Sequence, residues 1–276
     1  MPNIRDITPE QRFLGLFVGR SGGGKSVAAY SFPKPLKVFD LDGRIRGGIA
    51  VPWNAGTDID YEYYPPMVPG KSKDTQGALA TYQKLNTAFE TLLTEAQSGF
   101  CKYKTIVLDS ITWMNIDLLL DAIPMTHEAR GGGKKLGTMN MAGPEDYGFQ
   151  ATGTYQVLAF LKSLRIPNII VTAHIVNKWG KPPGDDNKFA NNVIVGEQLS
   201  LTDKLAENVP SSFDHVFEFM KYDSGARVNF KFSAQGELAR TAFPIPYGEH
   251  DITGKNFYET MMGYAAKSAP QEVANK

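Results

Sequence analysis

A chain of 276 residues with 29 basic and 29 acidic side chains carries no formal net charge, so any attraction to polyanions must come from local patches. Its 42% hydrophobic and 21% charged content is that of a globular domain rather than a disordered or fibrous chain. A single cysteine, Cys101, excludes an intramolecular disulfide, and neither a signal pattern nor a bilayer-length apolar run is present, which predicts a soluble protein of the cytoplasm.

In chain order, residues 1–12 are polar and read as a tail or arm. Phe13 to Val18 is an apolar run with the length of a buried strand, and Gly19-Arg-Ser-Gly-Gly-Gly-Lys-Ser26 follows directly. This octet fits G-x-x-x-x-G-K-[ST], and Ser26 to Tyr30 continues as the first turns of a helix. Triphosphate oxygens need several converging backbone N–H groups, and a Gly-rich turn lets the backbone wrap that closely. Gly19, Ser21, Gly22, Gly23, Gly24, Lys25 and Ser26 are therefore the expected nucleotide-binding residues. The following helix adds the positive end of its dipole. Lys25 supplies a mobile charge to the β- and γ-phosphates, and the Ser26 hydroxyl is placed to hold Mg²⁺.

Pro33 and Pro35 end that helix, and Leu36 to Asp40 reads as a second strand. Arg44 to Asp58 looks irregular, and Tyr61 to Tyr64 looks like a short strand. Gly77 to Ser98 is helical, with Tyr82, Leu85, Phe89, Leu92, Leu93 and Ala96 on one face. Thr105-Ile-Val-Leu-Asp109 is an apolar strand ending in an acid, the Walker B pattern, so Asp109 is a second Mg²⁺ candidate. A helix is expected from Thr112 to Asp121, then irregular chain over 124–146. Another helix should reach Leu164, with Tyr155, Leu158, Leu161 and Leu164 inward. Asn168 to Thr172 is a fourth buried strand, and Asn177 to Asp203 reads as a long polar loop. His215 to Met220 and Arg227 to Phe232 form an expected hairpin, and Asn256 to Ala266 a last helix. Strands alternating with helices around a P-loop predict one α/β domain over 13–267 with a mainly parallel sheet, followed by a tail at 268–276.

Further candidates sit at strand ends. A hydrolase needs a carboxylate to orient or deprotonate the attacking water, and Asp40 and Asp42 end the second strand. His174 ends the fourth, where a polar side chain can touch the γ-phosphate. His127, His215 and His250 show no metal-ligand spacing with the lone cysteine, so no zinc site is expected. Asp40-Leu-Asp-Gly43 follows the P-loop too closely for a GTPase switch, and Asn177-Lys-Trp-Gly180 lacks the guanine-reading acid, which favours ATP over GTP.

The order P-loop, strand ending in Asp-x-Asp, Ile106-Val-Leu-Asp-Ser-Ile-Thr112 and Ile169-Ile-Val-Thr-Ala-His174 resembles the RecA-like ATPases. More closely, it resembles the phage-encoded nucleotide-binding group that includes the Sak-four-type recombination proteins. Leu201 to Phe217 is similar to that group's segment after the sensor strand, and the likeness spans roughly residues 13 to 241. The resemblance implies a sheet whose sensor strand lies between the P-loop and Walker B strands, which the expected hairpin then extends at the C-terminal end. It also implies ATP and Mg²⁺ as cofactors, hydrolysis coupled to single-stranded DNA, and a homo-oligomer in which neighbours complete each site. An annealing or single-strand-binding protein of the phage would be a further partner, in the host cytoplasm. Where the family carries a catalytic Glu this chain has Asp42, one methylene shorter, which points to slow turnover. The family's late basic motif survives only as Arg240, the candidate trans-acting finger.

Two loops are candidates for DNA. Arg130-Gly-Gly-Gly-Lys-Lys135 offers Arg130, Lys134 and Lys135 to phosphates, and Lys178 with Trp179 offers a charge beside a stacking surface. Two other readings stand beside this one: a P-loop nucleotide or polynucleotide kinase, although Lys178 to Lys188 has no lid arginine, and a module that holds ATP without turnover.

Overall fold

The computed structural model describes residues 12–65, 80–129, 135–136, 139–182, 192–224 and 227–268. Its centre is β1 (Phe13–Gly19), buried along its whole length because parallel neighbours flank it on both sides. After the phosphate-loop sequence come α1 (Lys25–Ala29), β2 (Leu36–Asp40), α2 (Ile45–Ile49), β3 (Ile59–Tyr63), α3 (Ala80–Gln97) and β4 (Thr105–Asp109). Next are α4 (Ile111–Ala129), the two-residue strands β5 (Lys135–Leu136) and β6 (Met139–Asn140), α5 (Pro144–Ser163) and β7 (Asn168–Gly180). The chain continues through β8 (Val193–Leu199), α6 (Asp203–Asn208), β9 (His215–Ser224), β10 (Arg227–Ser233), β11 (Glu249–Asp251) and α7 (Phe257–Ser268).

The main sheet runs β11-β10-β9-β1-β7-β4-β2-β3, with β8 paired to the outer half of β7. From β9 to β3 the neighbours are parallel, and β10 and β11 add an antiparallel extension. Side chains alternate between two cores, as the strand period of two requires. Leu14, Leu16, Val18, Ile106, Leu108, Ile169 and Val171 face α3, α4 and α5. Phe13, Phe17, Val107, Ile170, Phe217, Phe219 and Phe232 face α1 and α7, where Phe257 fills an aromatic layer. In the parallel register Gly19 ends β1 level with His174 of β7, and Asp109 ends β4 just short of it, so these residues reach one edge, where an α/β sheet places its ligand.

Several expectations change. The stretch Asn177 to Asp203 is not a loop in its described parts: β7 continues to Gly180 and pairs antiparallel with β8, and α6 begins at Asp203. Cross-strand pairing at Asn177↔Glu197 and Lys178↔Gly196 satisfies a backbone whose polar side chains read as loop. Tyr155 is 41% exposed, whereas Leu158, Leu161 and Leu164 are buried. The inward stripe of α5 instead runs through Gln150, Gly153, Thr154, Val157 and Leu161, so the tyrosine falls outside it. Within 44–58, Ile45 to Ile49 forms a helix, and the helix after β4 extends to Ala129. Arg12, assigned by its polarity to the tail, donates to the carbonyls of Leu161 and Lys162 at the end of α5. Among the described residues no helix is long and apolar enough to cross a membrane.

Candidate nucleotide site

The loop between β1 and α1 is shaped by what lies behind it. At Gly19 a Cβ would meet the carbonyl oxygen of Phe219 at 2.2 Å, so only glycine lets the chain leave β1 this close to β9. Gly24 caps α1 at φ +95°, the left-handed region in which an L side chain is strained. The loop thus brings Lys25 inward at 5% exposure.

Lys25 Nζ lies 2.9 Å from the Gly19 carbonyl, 3.0 Å from that of Arg20 and 3.4 Å from His174 Nδ1. Burial pushes its pKa down to about 8, against the opposing pull of Asp109 and then Asp42, while Arg44 adds a smaller push downward. A desolvated ammonium with only neutral acceptors in contact is prepared for an anion.

His174 joins this cation to the carboxylate beyond it. An ammonium only donates, so Nδ1 accepts from Lys25 and Nε2 carries the proton, facing Asp42 Oδ2 at 3.1 Å. The Thr112 hydroxyl accepts the His174 backbone N–H at 2.9 Å. Asp42 Oδ1 accepts the Ser110 hydroxyl at 3.0 Å, and its side chain is 5% exposed.

The two acids at the end of β2 divide their work. Asp40 accepts the backbone N–H groups of Gly43 at 2.8 Å, Arg44 at 3.3 Å and Ile45 at 3.3 Å, closing the turn into α2. Burial raises its pKa, with those backbone donors working the other way. Asp42 is the acid that reaches the site.

Asp109 ends β4 at 1% exposure. Its Oδ2 accepts the Tyr30 hydroxyl at 2.7 Å, and its Oδ1 accepts the Thr172 hydroxyl. Burial, followed by the Asp109 charge, raises the tyrosine well above its ordinary pKa, so it stays a donor. A carboxylate oxygen accepts more than one hydrogen bond, so Asp109 keeps acceptor capacity for a water of Mg²⁺, which Ser26 of α1 would also hold.

Lys25, Asp42, His174 and Asp109 are thus brought together. Arg240 is not. It bridges antiparallel to Val216, which aligns with Leu16 well before the loop, and its guanidinium donates to the carbonyls of Pro210 at 2.6 Å and Phe213 at 3.4 Å. Lys178 and Trp179 stand on the β7–β8 ribbon, with Trp179 61% exposed. Arg130 and Lys134 lie outside the described residues, and Lys135 contributes its backbone to β5.

Four contributors were missed. Thr172 shares a strand face with His174 two residues on, a signal legible in Ile-Ile-Val-Thr-Ala-His. Ser110 directly follows the Walker B acid. Tyr30 and Arg44 carry no sequence signal, because their partners lie elsewhere in the chain. Arg44 Nη1 donates to Ser21 Oγ at 2.7 Å, and Arg20 binds Asn177 and Glu197 on the ribbon.

A β7 strand inserted between the P-loop strand β1 and the acid-ended β4, with Lys25 at their shared edge, is the arrangement of an α/β P-loop nucleotide-binding domain. The AAA domain family profile matches residues 14–235, most of the chain, and the protein belongs to that family. No curated protein matches it. Among solved structures it is similar to the crystal structure of flagellar accessory protein FlaH from Methanocaldococcus jannaschii, at 13% identity and a TM-score of 0.42, over 87% of this chain and 84% of that one.

Proposed function

We propose that this protein is a Mg²⁺-dependent ATPase of phage origin that acts on single-stranded DNA in recombination or replication. The observation that carries the hydrolytic part is the continuous path Lys25–His174–Asp42 at the end of three parallel strands. In this reading Lys25 leaves the Gly19 and Arg20 carbonyls for the terminal phosphate. His174 then loses its donor on Nδ1 and reports the change to Asp42. Asp42, held by Ser110 and His174, orients the attacking water. Ser26 and Asp109 would hold Mg²⁺, which when bound would neutralise charge on the phosphates.

The DNA part is supported by the ribbon. Trp179 offers an exposed ring, Lys178 sits beside it, and β7 runs from His174 to both with one register shift between the two. A homo-oligomer with nucleotide near subunit interfaces, a phage annealing or single-strand-binding partner, and the host cytoplasm complete the proposal. In a neighbouring subunit Arg240 would serve as finger only after releasing Pro210 and Phe213.

Phosphate release measured with and without an unlabelled oligonucleotide tests the reading. Release stimulated by the oligonucleotide is the expected result. Transfer of phosphate to an added nucleotide would make the protein a kinase, and tight ATP binding without turnover would make it a binding module.

A further inference from the structure

Two arginines flank the phosphate loop, and their charges are disposed differently. Arg20 is paired: its guanidinium meets Glu197 Oε1 at 2.6 Å and also binds Asn177. Arg44 has no carboxylate partner among the described residues, and its guanidinium donates only to the neutral Ser21 hydroxyl at 2.7 Å. It is exposed, yet close enough to Lys25 to push that ammonium's pKa down.

The position is built rather than incidental. Asp40, 1% exposed, gathers the N–H groups of residues 43, 44 and 45, and Gly43 turns at φ +67° with a would-be Cβ 3.0 Å from the Tyr63 ring. Within this one turn Asp42 is sent inward to His174 and Ser110, and Arg44 outward to the rim of the loop. A guanidinium has five N–H donors in a planar fork suited to phosphate oxygens. Lys25 and Arg44 are thus two cations near one another at the same loop, and neither makes a direct ion pair among the described residues.

We propose that Arg44 grips the terminal phosphate of a bound nucleoside triphosphate in cis, exchanging the Ser21 hydroxyl for phosphate oxygens. The inference rests on the nucleotide-binding reading above and adds a residue to it. It also assigns within one chain the second-cation role that Arg240, bonded at the far end of β9, does not fill in its own subunit.

The test is equilibrium titration of the whole chain with fluorescent N-methylanthraniloyl ATP and ADP in Mg²⁺, for wild type, Arg44→Ala, Arg44→Lys and Lys25→Met. A charged hydrogen bond lost from one phosphate should weaken ATP by roughly tenfold or more in Arg44→Ala, with ADP changed by less than about threefold. Arg44→Lys should recover part of the difference, because it keeps the charge without the fork. An unchanged ATP-to-ADP ratio in Arg44→Ala overturns the proposal, and so does equal weakening of both nucleotides, which would make Arg44 a brace for the Ser21 turn. If wild type itself binds neither nucleotide, the underlying reading fails, and the result is distinct from either outcome for Arg44.

Discussion

The Tyr30 hydroxyl donates to Asp109 Oδ2 at 2.7 Å, so the residue that closes α1 and the residue that ends β4 are joined beneath the phosphate loop. Both are within 1% of full burial. The acid that would hold Mg²⁺ is therefore oriented by the same short helix that carries Lys25 and Ser26. Tyr30→Phe keeps the ring and removes only the donor. The expected result is a severalfold higher Mg²⁺ requirement for ATP hydrolysis and a stability loss of about 1–3 kcal/mol, typical of a charged acceptor left short of a donor. A Mg²⁺ titration of turnover, beside denaturant melts of both proteins, checks it; an unchanged metal requirement would reduce Tyr30 to packing.

Lys25 gives a pH dependence with a definite sign. Its pKa of about 8 in the folded protein lies below the ordinary 10.5, so between these values the unfolded chain binds more protons and the contribution to stability rises with pH. Bound phosphate favours the protonated form. ATP affinity should therefore be level below about pH 8 and fall by roughly tenfold per unit above it, until the pKa of the complex is reached. Lys25→Met should lose most of the affinity, show no such fall, and melt no lower than wild type at pH 7. Calorimetric titrations from pH 6 to 10 would read all three, and a pH-independent wild type would contradict the assignment.

Asp42→Asn and His174→Ala address the chemical step. Each should lower turnover by about 100-fold, the scale of a positioned general base, while ATP binding stays within about threefold. Single-turnover phosphate release with saturating ATP separates the two quantities. Normal turnover in Asp42→Asn would move the base role to another residue.

On the DNA side, Trp179→Ala should cost on the order of 1–3 kcal/mol of oligonucleotide affinity with little change in salt dependence, because stacking releases no counterions. Neutralising Arg130, Lys134 and Lys135 together should make the slope of log affinity against log salt shallower by about 2. Titrations of labelled oligonucleotide at several salt concentrations measure both. An unaltered slope would make the basic segment an ordinary solvated connection.

The parts legible in the sequence are those whose signal is local. Apolar runs closed by a chemically loaded residue located β1, β4 and the inner half of β7, and their common end located the site. The outer half of β7 was opaque, because Asn177-Lys-Trp-Gly180 is polar and its strand character comes from pairing with residues 193–199. Asp40 and Asp42 were indistinguishable as neighbours in a string; only the turn over residues 43–45 shows one acid capping a backbone and the other facing His174. Tyr30 meets Asp109 across 79 positions and Arg44 meets Ser21 across 23, distances over which composition and periodicity carry no information.

β7 is one strand from Asn168 in the core to Gly180 on the ribbon, with a single irregularity at Lys178/Trp179. From His174 to Trp179 is five residues, about 16 Å of extended chain. No hinge interrupts that span before the bulge, so the ribbon behaves as a stiff lever rooted in the sheet rather than a tethered arm. The same strand thus joins the exposed Trp179 to the imidazole beside Lys25, with one register shift between the two ends.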